Sequence, residues 1–127
     1  MHEQHLYEYA VIRVVPKVER EEFINIGLML YCKRQKYLRI KYYIPTDKIK
    51  SFSSEFDIEQ LKINVEAFAG ICEGKKATGQ IALLEKDERF RWLTAIKSSS
   101  IQTSRPHPGI SLDLDKTFVR LFSELVE

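Results

Sequence analysis

The chain has 127 residues, of which 44% are hydrophobic and 30% charged, proportions that are typical of one globular domain with a buried core. They exclude an intrinsically disordered chain, and no apolar run approaches the roughly 18 residues that span a membrane. The formal net charge of +2 is too small to indicate a partner. Because no secretory signal pattern is visible, we expect a single cytoplasmic domain over residues 1–127 without membrane association.

Three strand-like runs occupy the first third of the chain. Residues 6–15 alternate between two faces that are both rich in apolar side chains, which is typical of an interior strand. Residues 22–32 predict a second strand, with an unbroken apolar face of even-numbered residues from Ile24 to Cys32. Residues 37–44 predict a third. Since neighbours in sequence usually pair, the three runs indicate an antiparallel meander.

The first main helix is predicted over residues 57–73. Asp57 and Gln60 have the spacing of a capping box, an apolar stripe follows at helical spacing, and Gly74 supplies a stop signal. A second main helix begins near Asp113 and continues towards the C-terminus.

The region between these helices is less regular. Residues 85–95 predict a short helix and residues 100–104 a short edge strand, whereas 105–109 holds two prolines and a glycine and predicts a loop. The predicted fold class is therefore α+β: an antiparallel sheet of three to five strands with the two main helices packed on one of its faces.

Arg13 lies on an interior strand beside tyrosines, where a guanidinium requires a carboxylate or a bound anion as partner. Glu21 is one such carboxylate and would form a structural ion pair; a bound ligand is the other alternative. Asn25 on the second strand is expected near Arg13. Gly27 on the same strand indicates a bulge or a close approach, which makes room either for a ligand or for Phe90 or Trp92.

The third strand carries a basic and aromatic face. Residues 33–50 hold seven bases against one acid. Aromatic and basic side chains on an open sheet face are typical of surfaces that stack single-stranded RNA, so nucleic-acid binding is one hypothesis; a solvated strand face is the other. The residues of this face are Tyr37, Arg39, Lys41 and Tyr43.

Catalytic, metal and cofactor patterns do not support a specific enzyme. Cys32 and Cys72 fit small core residues, and the histidines do not form a metal-ligand cluster, so we expect neither metal nor cofactor. No glycine-rich phosphate loop is present. One enzyme hypothesis remains, in which His107 acts as a general base in the polar segment 97–109.

Three segments with specific residues occur in order along the chain: Tyr9–Arg13 (YAVIR), Arg20–Gly27 (REEFINIG) and Arg89–Ala95 (RFRWLTA), followed by His107 and Gly109. In these segments the chain resembles a bacterial family catalogued as domain of unknown function 3037. The chain departs from many members at Ile96-Lys97-Ser98, where they have Pro-Arg-Ser, and at Pro108, where they have threonine.

The resemblance implies a small bacterial module without an assigned reaction, whose members are often encoded beside a Hip-type serine/threonine kinase. We therefore expect a non-enzymatic binding or regulatory module with such a kinase as partner, and nucleic-acid or nucleotide-phosphate binding at an arginine-rich patch as the alternative. We expect the polar motif residues to converge on a sheet face that the two main helices leave uncovered. The candidates for ligand or anion binding are Arg13, Arg20, Asn25, Arg89, Arg91, Gln102, Arg105 and His107.

Overall fold

The computed structural model describes residues 3–16, 22–95 and 100–127. Within these residues the chain forms one antiparallel sheet and four helices, which confirms the predicted α+β class. The strands are β1 (His5–Val14), β2 (Ile24–Cys32), β3 (Tyr37–Tyr42), β4 (Ile101–Thr103) and β5 (His107–Ser111). The helices are α1 (Thr46–Phe52), α2 (Ile58–Glu73), α3 (Lys86–Ala95) and α4 (Leu114–Leu125), with 3-10 turns at Lys76–Thr78 and Gln80–Leu83.

β1 is the central strand, and the order across the sheet is β3-β2-β1-β4, with β5 also paired to β1. β4 and β5 follow each other along one edge of β1, beside its C-terminal and N-terminal halves respectively. Ser104 lies between them: its backbone N–H donates to the Val11 carbonyl at 2.8 Å, and its Oγ accepts from the Val11 N–H at 2.9 Å. The hydroxyl thus replaces a missing ladder acceptor, and Val11 keeps both of its backbone hydrogen bonds.

A β-bulge in β2 changes which side chains share a face. Ile12 pairs with Gly27 and Arg13 pairs with Asn25, so Ile26 has no partner on β1. The extra residue reverses the alternation of β2. The predicted unbroken face from Ile24 to Cys32 is therefore wrong: Ile24 and Ile26 lie with one core, and the later even-numbered residues lie with the other.

Gly27 lies beside this bulge, at a position where the adjacent strands leave little room for a side chain. A Cβ at Gly27 would lie 3.0 Å from the Cδ1 of Ile12 and 3.0 Å from the carbonyl oxygen of Lys41. The expected close approach is confirmed, but the neighbours are the two adjacent strands and not Phe90 or Trp92.

The two main helices pack on opposite faces of the sheet. α2 and α3 cover the face that carries Ala10, Ile12 and Met29, whereas α4 covers the face that carries Tyr7 and Leu28. The expectation that both main helices share one face is wrong, since the strands bury apolar residues on both sides and each side requires its own cover. The α2–α3 core is the larger one and includes Val65, Phe68, Phe90 and Leu93; the α4 core includes Leu114, Phe118, Leu121 and Phe122.

Asp57 caps α2 and Gly74 ends it, as the sequence predicts, although the Gln60 side chain bonds Asn64 and does not complete the capping box. The Asp57 carboxylate accepts from the backbone N–H of Gln60 at 3.0 Å, and Gly74 ends α2 in the left-handed conformation with φ 75°. Asp113 caps α4 in the same way as Asp57 caps α2, by accepting from the N–H of Lys116. Local capping chemistry thus fixes the ends of these helices before tertiary packing is considered.

The loop predicted over 105–109 is wrong in its second half, because His107–Ser111 forms strand β5. Within the described part of the sheet β5 pairs with β1 and with no second strand, so the missing N–H of Pro108 does not interrupt a central ladder. Gly109 lies opposite Tyr7, and a Cβ at this position would overlap the Tyr7 ring. The proline and the glycine therefore suit an edge strand that approaches an aromatic ring.

Candidate functional site

Three of the predicted ligand-binding residues form a row across β2, β1 and β4 on the α4 face. Arg13 pairs with Asn25 on one side and with Gln102 on the other. The Arg13 guanidinium lies 4.3 Å from the centre of the exposed Phe23 ring, and no described carboxylate is within ion-pair distance of it. The Arg13 Nε and the Asn25 Oδ1 are buried, and neither has a hydrogen-bond partner among the residues that the structure describes.

Asn25 also has a structural role in this row. Its Nδ2 donates to the Leu125 carbonyl at 2.9 Å and so satisfies one of the free carbonyl groups at the end of α4. The carbonyl end of a helix carries partial negative charge, which favours a cation such as Arg13 at this position. The row therefore supports the end of α4.

His107 lies on the same face as the row but at the other end of β1. Its ring is 5.1 Å from that of Tyr9, its cross-strand partner. Tyr9 and Arg13 are four residues apart on one strand, so their positions are separated by about 13 Å along β1, and His107 lies beside Tyr9 on the neighbouring strand. The structure thus places Arg13, Asn25, Gln102 and His107 on one face, although not within reach of one small ligand.

The arginines of α3 lie on the opposite side of the sheet. Arg89 donates to the Leu84 carbonyl at 2.6 Å and lies against Gly74, so it links the end of α2 to the start of α3. The Arg91 Nη2 lies 2.7 Å from the Oε2 of Glu8, which shares a face with the α2–α3 core. The expected convergence of Arg13 with Arg91 is therefore wrong.

The two remaining predicted candidates, Arg105 and Arg20, contribute less to a site shared by several residues. Arg105 is exposed between β4 and β5. Arg20 and Glu21 lie outside the described residues, and so does the first part of the polar segment 97–109.

The basic face of β3 packs against α4 and is not an open surface. The Arg39 guanidinium lies 4.3 Å from the Phe118 ring centre, and the Lys41 ammonium lies 4.5 Å from that of Phe122. Tyr37 donates to the Asp115 carboxylate at 2.7 Å. Partial burial, with this hydrogen bond, raises the pKa of Tyr37 to about 12. Tyr43 follows the strand and is exposed.

Sequence reasoning missed a concave part of the described surface, which lies where the end of β2 meets α3 and the β1–β5 pair. Three open depressions adjoin here, and Tyr31 and Lys33 line all three. The α3 depression, of about 590 Å³, is lined by Tyr31, Lys33, Leu84, Asp87, Glu88, Arg91 and Trp92. The hairpin depression, of about 230 Å³, is lined by Tyr31, Lys33, Lys36, Glu85, Lys86 and Asp87.

The third depression, of about 230 Å³, lies at a corner of the sheet, and its lining consists of Leu6, Tyr7, Glu8, Tyr31, Lys33, Arg91 and Pro108. Leu6 and its cross-strand partner Ile110 are 68% and 63% exposed. We call the third depression together with Ile110 the corner surface. It combines exposed apolar side chains with two cations, Lys33 and Arg91.

The floor of these depressions is formed by well-packed aromatic side chains. The Tyr31 ring stacks on Phe90 at 5.0 Å, and Tyr31 pairs with Glu8 across β1 and β2. Burial, with a smaller contribution from the carboxylate of Asp87, raises the pKa of Tyr31, while Arg91 acts in the opposite direction. The Tyr31 hydroxyl therefore stays protonated at neutral pH and can donate a hydrogen bond.

One signal in the sequence could have located this surface. Glu8 occupies the strand face that otherwise holds Ala10, Ile12 and Val14, so a cation was required above it. Arg91 is that cation, with its Nη2 close to the carboxylate although the N–H direction does not form an aligned hydrogen bond.

Other chemistry is limited in the part of the chain that the structure describes. No group of three His, Cys, Asp or Glu side chains is arranged to hold a metal ion there. Both cysteines are buried and free, and burial raises the pKa of Cys72 to about 12. None of the described helices has the length and apolar character that crossing a membrane requires.

Comparison with known proteins places the chain in a family. The model of a family described as protein of unknown function, DUF3037, matches residues 9–126. The chain belongs to the DUF3037 family. Neither the curated proteins nor the solved structures contain a match to it. The DUF3037 match spans the row on the α4 face. Of the corner surface it spans Tyr31, Lys33, Arg91, Pro108 and Ile110, whereas residues 6–8 precede the matched range.

Proposed function

We propose that this DUF3037 protein is a non-enzymatic binding module that engages a partner protein through the corner surface. The observation that carries the proposal is the meeting of three open depressions at Tyr31 and Lys33, beside exposed apolar residues. Shallow, open concavities with exposed apolar side chains are typical of protein–protein contact surfaces. Tyrosine, tryptophan and arginine are the side chains that dominate binding energy in such contacts.

Trp92 provides a direct reporter for this proposal. It lines the α3 depression beside Arg91, it is 39% exposed, and it is the single tryptophan of the chain. Binding of a partner over this region changes the polarity around the indole and hence the fluorescence emission of the whole protein.

The test is selection of random peptides displayed on phage against the full chain, followed by titration of synthetic peptides with Trp92 emission as readout. We expect peptides whose binding shifts the emission and weakens in Leu6→Ser and Lys33→Ser variants. Ile63→Ser is the matched control for Leu6→Ser, because Ile63 is similarly exposed but lies on α2. Repeated selections without a binder, or binders that ignore the Leu6 and Lys33 changes, would contradict the proposal.

We further propose a Hip-type serine/threonine kinase as the partner, an identity supported by the family resemblance. Co-expression with the kinase encoded beside a family member should give a complex that survives gel filtration. The Leu6→Ser variant should lose that complex while the Ile63→Ser variant keeps it. Separate elution of both wild-type proteins over a range of concentrations would remove the kinase from consideration.

Phosphate binding at Arg13, as in a nucleotide or nucleic acid, is the alternative function. It is supported by the absence of a described carboxylate beside the Arg13 guanidinium and by the exposed Phe23 ring under it. Binding of single-stranded RNA or of a nucleotide should then weaken with salt and be lost in Arg13→Gln. Retained binding in that variant would exclude this alternative. Arg89 and Arg91 lie across the sheet and do not contribute to such a contact.

A further inference from the structure

The register of β1 and β5 gives the corner surface a defined spacing. Leu6 pairs with Ile110, and Glu8 pairs with Pro108, so these two cross-strand rows lie on the same face of the sheet. Residues two apart on a strand are separated by about 6.8 Å. The apolar row of Leu6 and Ile110 is thus about 6.8 Å from the row of Glu8 and Pro108. The Arg91 guanidinium lies above this second row.

The cations at the second row retain unused hydrogen-bonding capacity. The Arg91 side chain is 56% exposed, and its contact with Glu8 involves one nitrogen, Nη2. Lys33 is exposed, and no described carboxylate is within ion-pair distance of it. Tyr31 lines the same depression. Three residues that line this depression thus carry a guanidinium, an ammonium and a phenol hydroxyl, which are hydrogen-bond donors suited to a carboxylate.

The acids near this position are already engaged or lie outside the corner surface. Glu8 is paired with Arg91. Asp87 and Glu88 line the α3 depression but not the corner depression. The net charge offered to a ligand at the corner surface is therefore positive, with one carboxylate against two cations.

We infer that the corner surface takes an extended segment of a partner protein in which an apolar side chain and a carboxylate are two residues apart. In an extended segment, residues i and i+2 point to the same side and are also about 6.8 Å apart. The apolar side chain covers Leu6 and Ile110, and the carboxylate meets Arg91 and Lys33. This inference rests on the proposed function and specifies its ligand.

Charge and polarity favour this occupant over two others. A second copy of the chain would bring the same two cations against these cations, which is unfavourable. A nucleic-acid strand would neutralise Lys33 and Arg91 but would leave Leu6 and Ile110 in contact with a charged backbone. An acidic segment with an apolar anchor satisfies both rows.

The test uses the peptides recovered by the display selection and synthetic isomers of the tightest one. We expect the recovered peptides to share an apolar residue and an Asp or Glu at i and i+2. Moving the acid to i+1 turns it to the other side of the segment, so the isomer of identical composition should bind about tenfold more weakly. Replacing the acid by lysine should abolish binding.

Arg91→Gln should weaken the parent peptide about tenfold and make the two isomers nearly equal. Arg120→Gln is the matched control, because Arg120 is also 56% exposed and ion-paired, to Glu124 on α4, and it should leave binding unchanged. Peptides that need Leu6 and Lys33 but lack the spacing, or isomers of equal affinity, would overturn this inference while the binding function stands. A failure to recover any peptide counts against the binding function itself.

Discussion

Replacing Gly109 by alanine tests whether β5 is a strand docked on Tyr7, as the structure has it, or the loop that the sequence indicates. A Cβ at Gly109 would overlap the outer ring atoms of Tyr7 and lie 2.9 Å from its Cε1. Tyr7 is 7% exposed within the α4 core, and Gly109 is fixed opposite it in the β1–β5 ladder. Neither side can move without loss of packing or strand pairing.

The expected cost is that of overpacking a core, about 1–3 kcal/mol of unfolding free energy. An unfolding entropy of about 2.1 cal/mol/K per residue gives about 0.27 kcal/mol/K for 127 residues. The cost therefore corresponds to a fall in Tm of about 4–11 °C. Urea denaturation followed by circular dichroism gives the free energy, and a thermal scan gives the shift in Tm.

A second variant separates the clash from any general effect of Gly109→Ala. Tyr7→Leu removes the ring atoms that the new methyl group overlaps, so in that background Gly109→Ala should be neutral or slightly stabilising. The coupling between the two changes should therefore be about 1–3 kcal/mol. A wild-type cost near zero, or the same cost in both backgrounds, would refute the packing of β5 on Tyr7.

Three further predictions follow from the geometry. Because burial raises the pKa of Cys72 from 9.0 to about 12, the free energy of unfolding should decline as pH rises above about 9, and it should decline less steeply in Cys72→Ala. Denaturation at several pH values measures this, and the same pH dependence in both proteins would contradict it. Glu8→Gln should cost less than about 1 kcal/mol, since its ion pair with Arg91 is partly exposed, and a double-mutant cycle with Arg91→Gln should give a coupling of about 0.2–1 kcal/mol. Asp57→Ala should cost about 1 kcal/mol through loss of the α2 cap, measured by urea denaturation, and an unchanged midpoint would show that the cap is not formed.

The sequence predicted well the features that depend on local chemistry. The α2 cap arises from a side chain that bonds a backbone N–H three residues away, so Asp57 suffices to place it, and the predicted start of α4 near Asp113 has the same local bond. The β1–β2–β3 meander follows from alternation and short connections. The amphipathic stripes of both helices give their buried faces.

The errors come from features that depend on distant contacts. The unpaired Ile26 reverses the alternation of β2. Gly27 indicates a bulge or a close approach, but the sequence of β2 does not specify which residue is left unpaired. β5 is a strand because it pairs with the N-terminal half of β1, which includes Tyr7, although Pro108 and Gly109 are locally typical of a loop. Helix α1 has no clear signal of its own in the sequence, and its Ile49 is buried in the α2–α3 core.

The candidate residues separated for a related reason. Motif residues that are close in a sequence pattern can face opposite sides of a two-faced sheet. Arg13 follows the parity of Tyr7 and Tyr9, whereas Arg91 is held by Glu8 on the other side. The sequence indicates which residues of β1 share a face of the sheet, but it does not indicate where α3 lies relative to Glu8.

The most direct measurement is a map of backbone amide shifts by NMR as a display-selected peptide is added to the full chain. If a partner binds at the corner surface, we expect the shifts to cluster around it, at residues 6–8, 31–33, 91–92 and 110. Shifts confined to Arg13, Asn25 and Gln102, with residues 6–8 unaffected, would contradict it and assign binding to the α4 face.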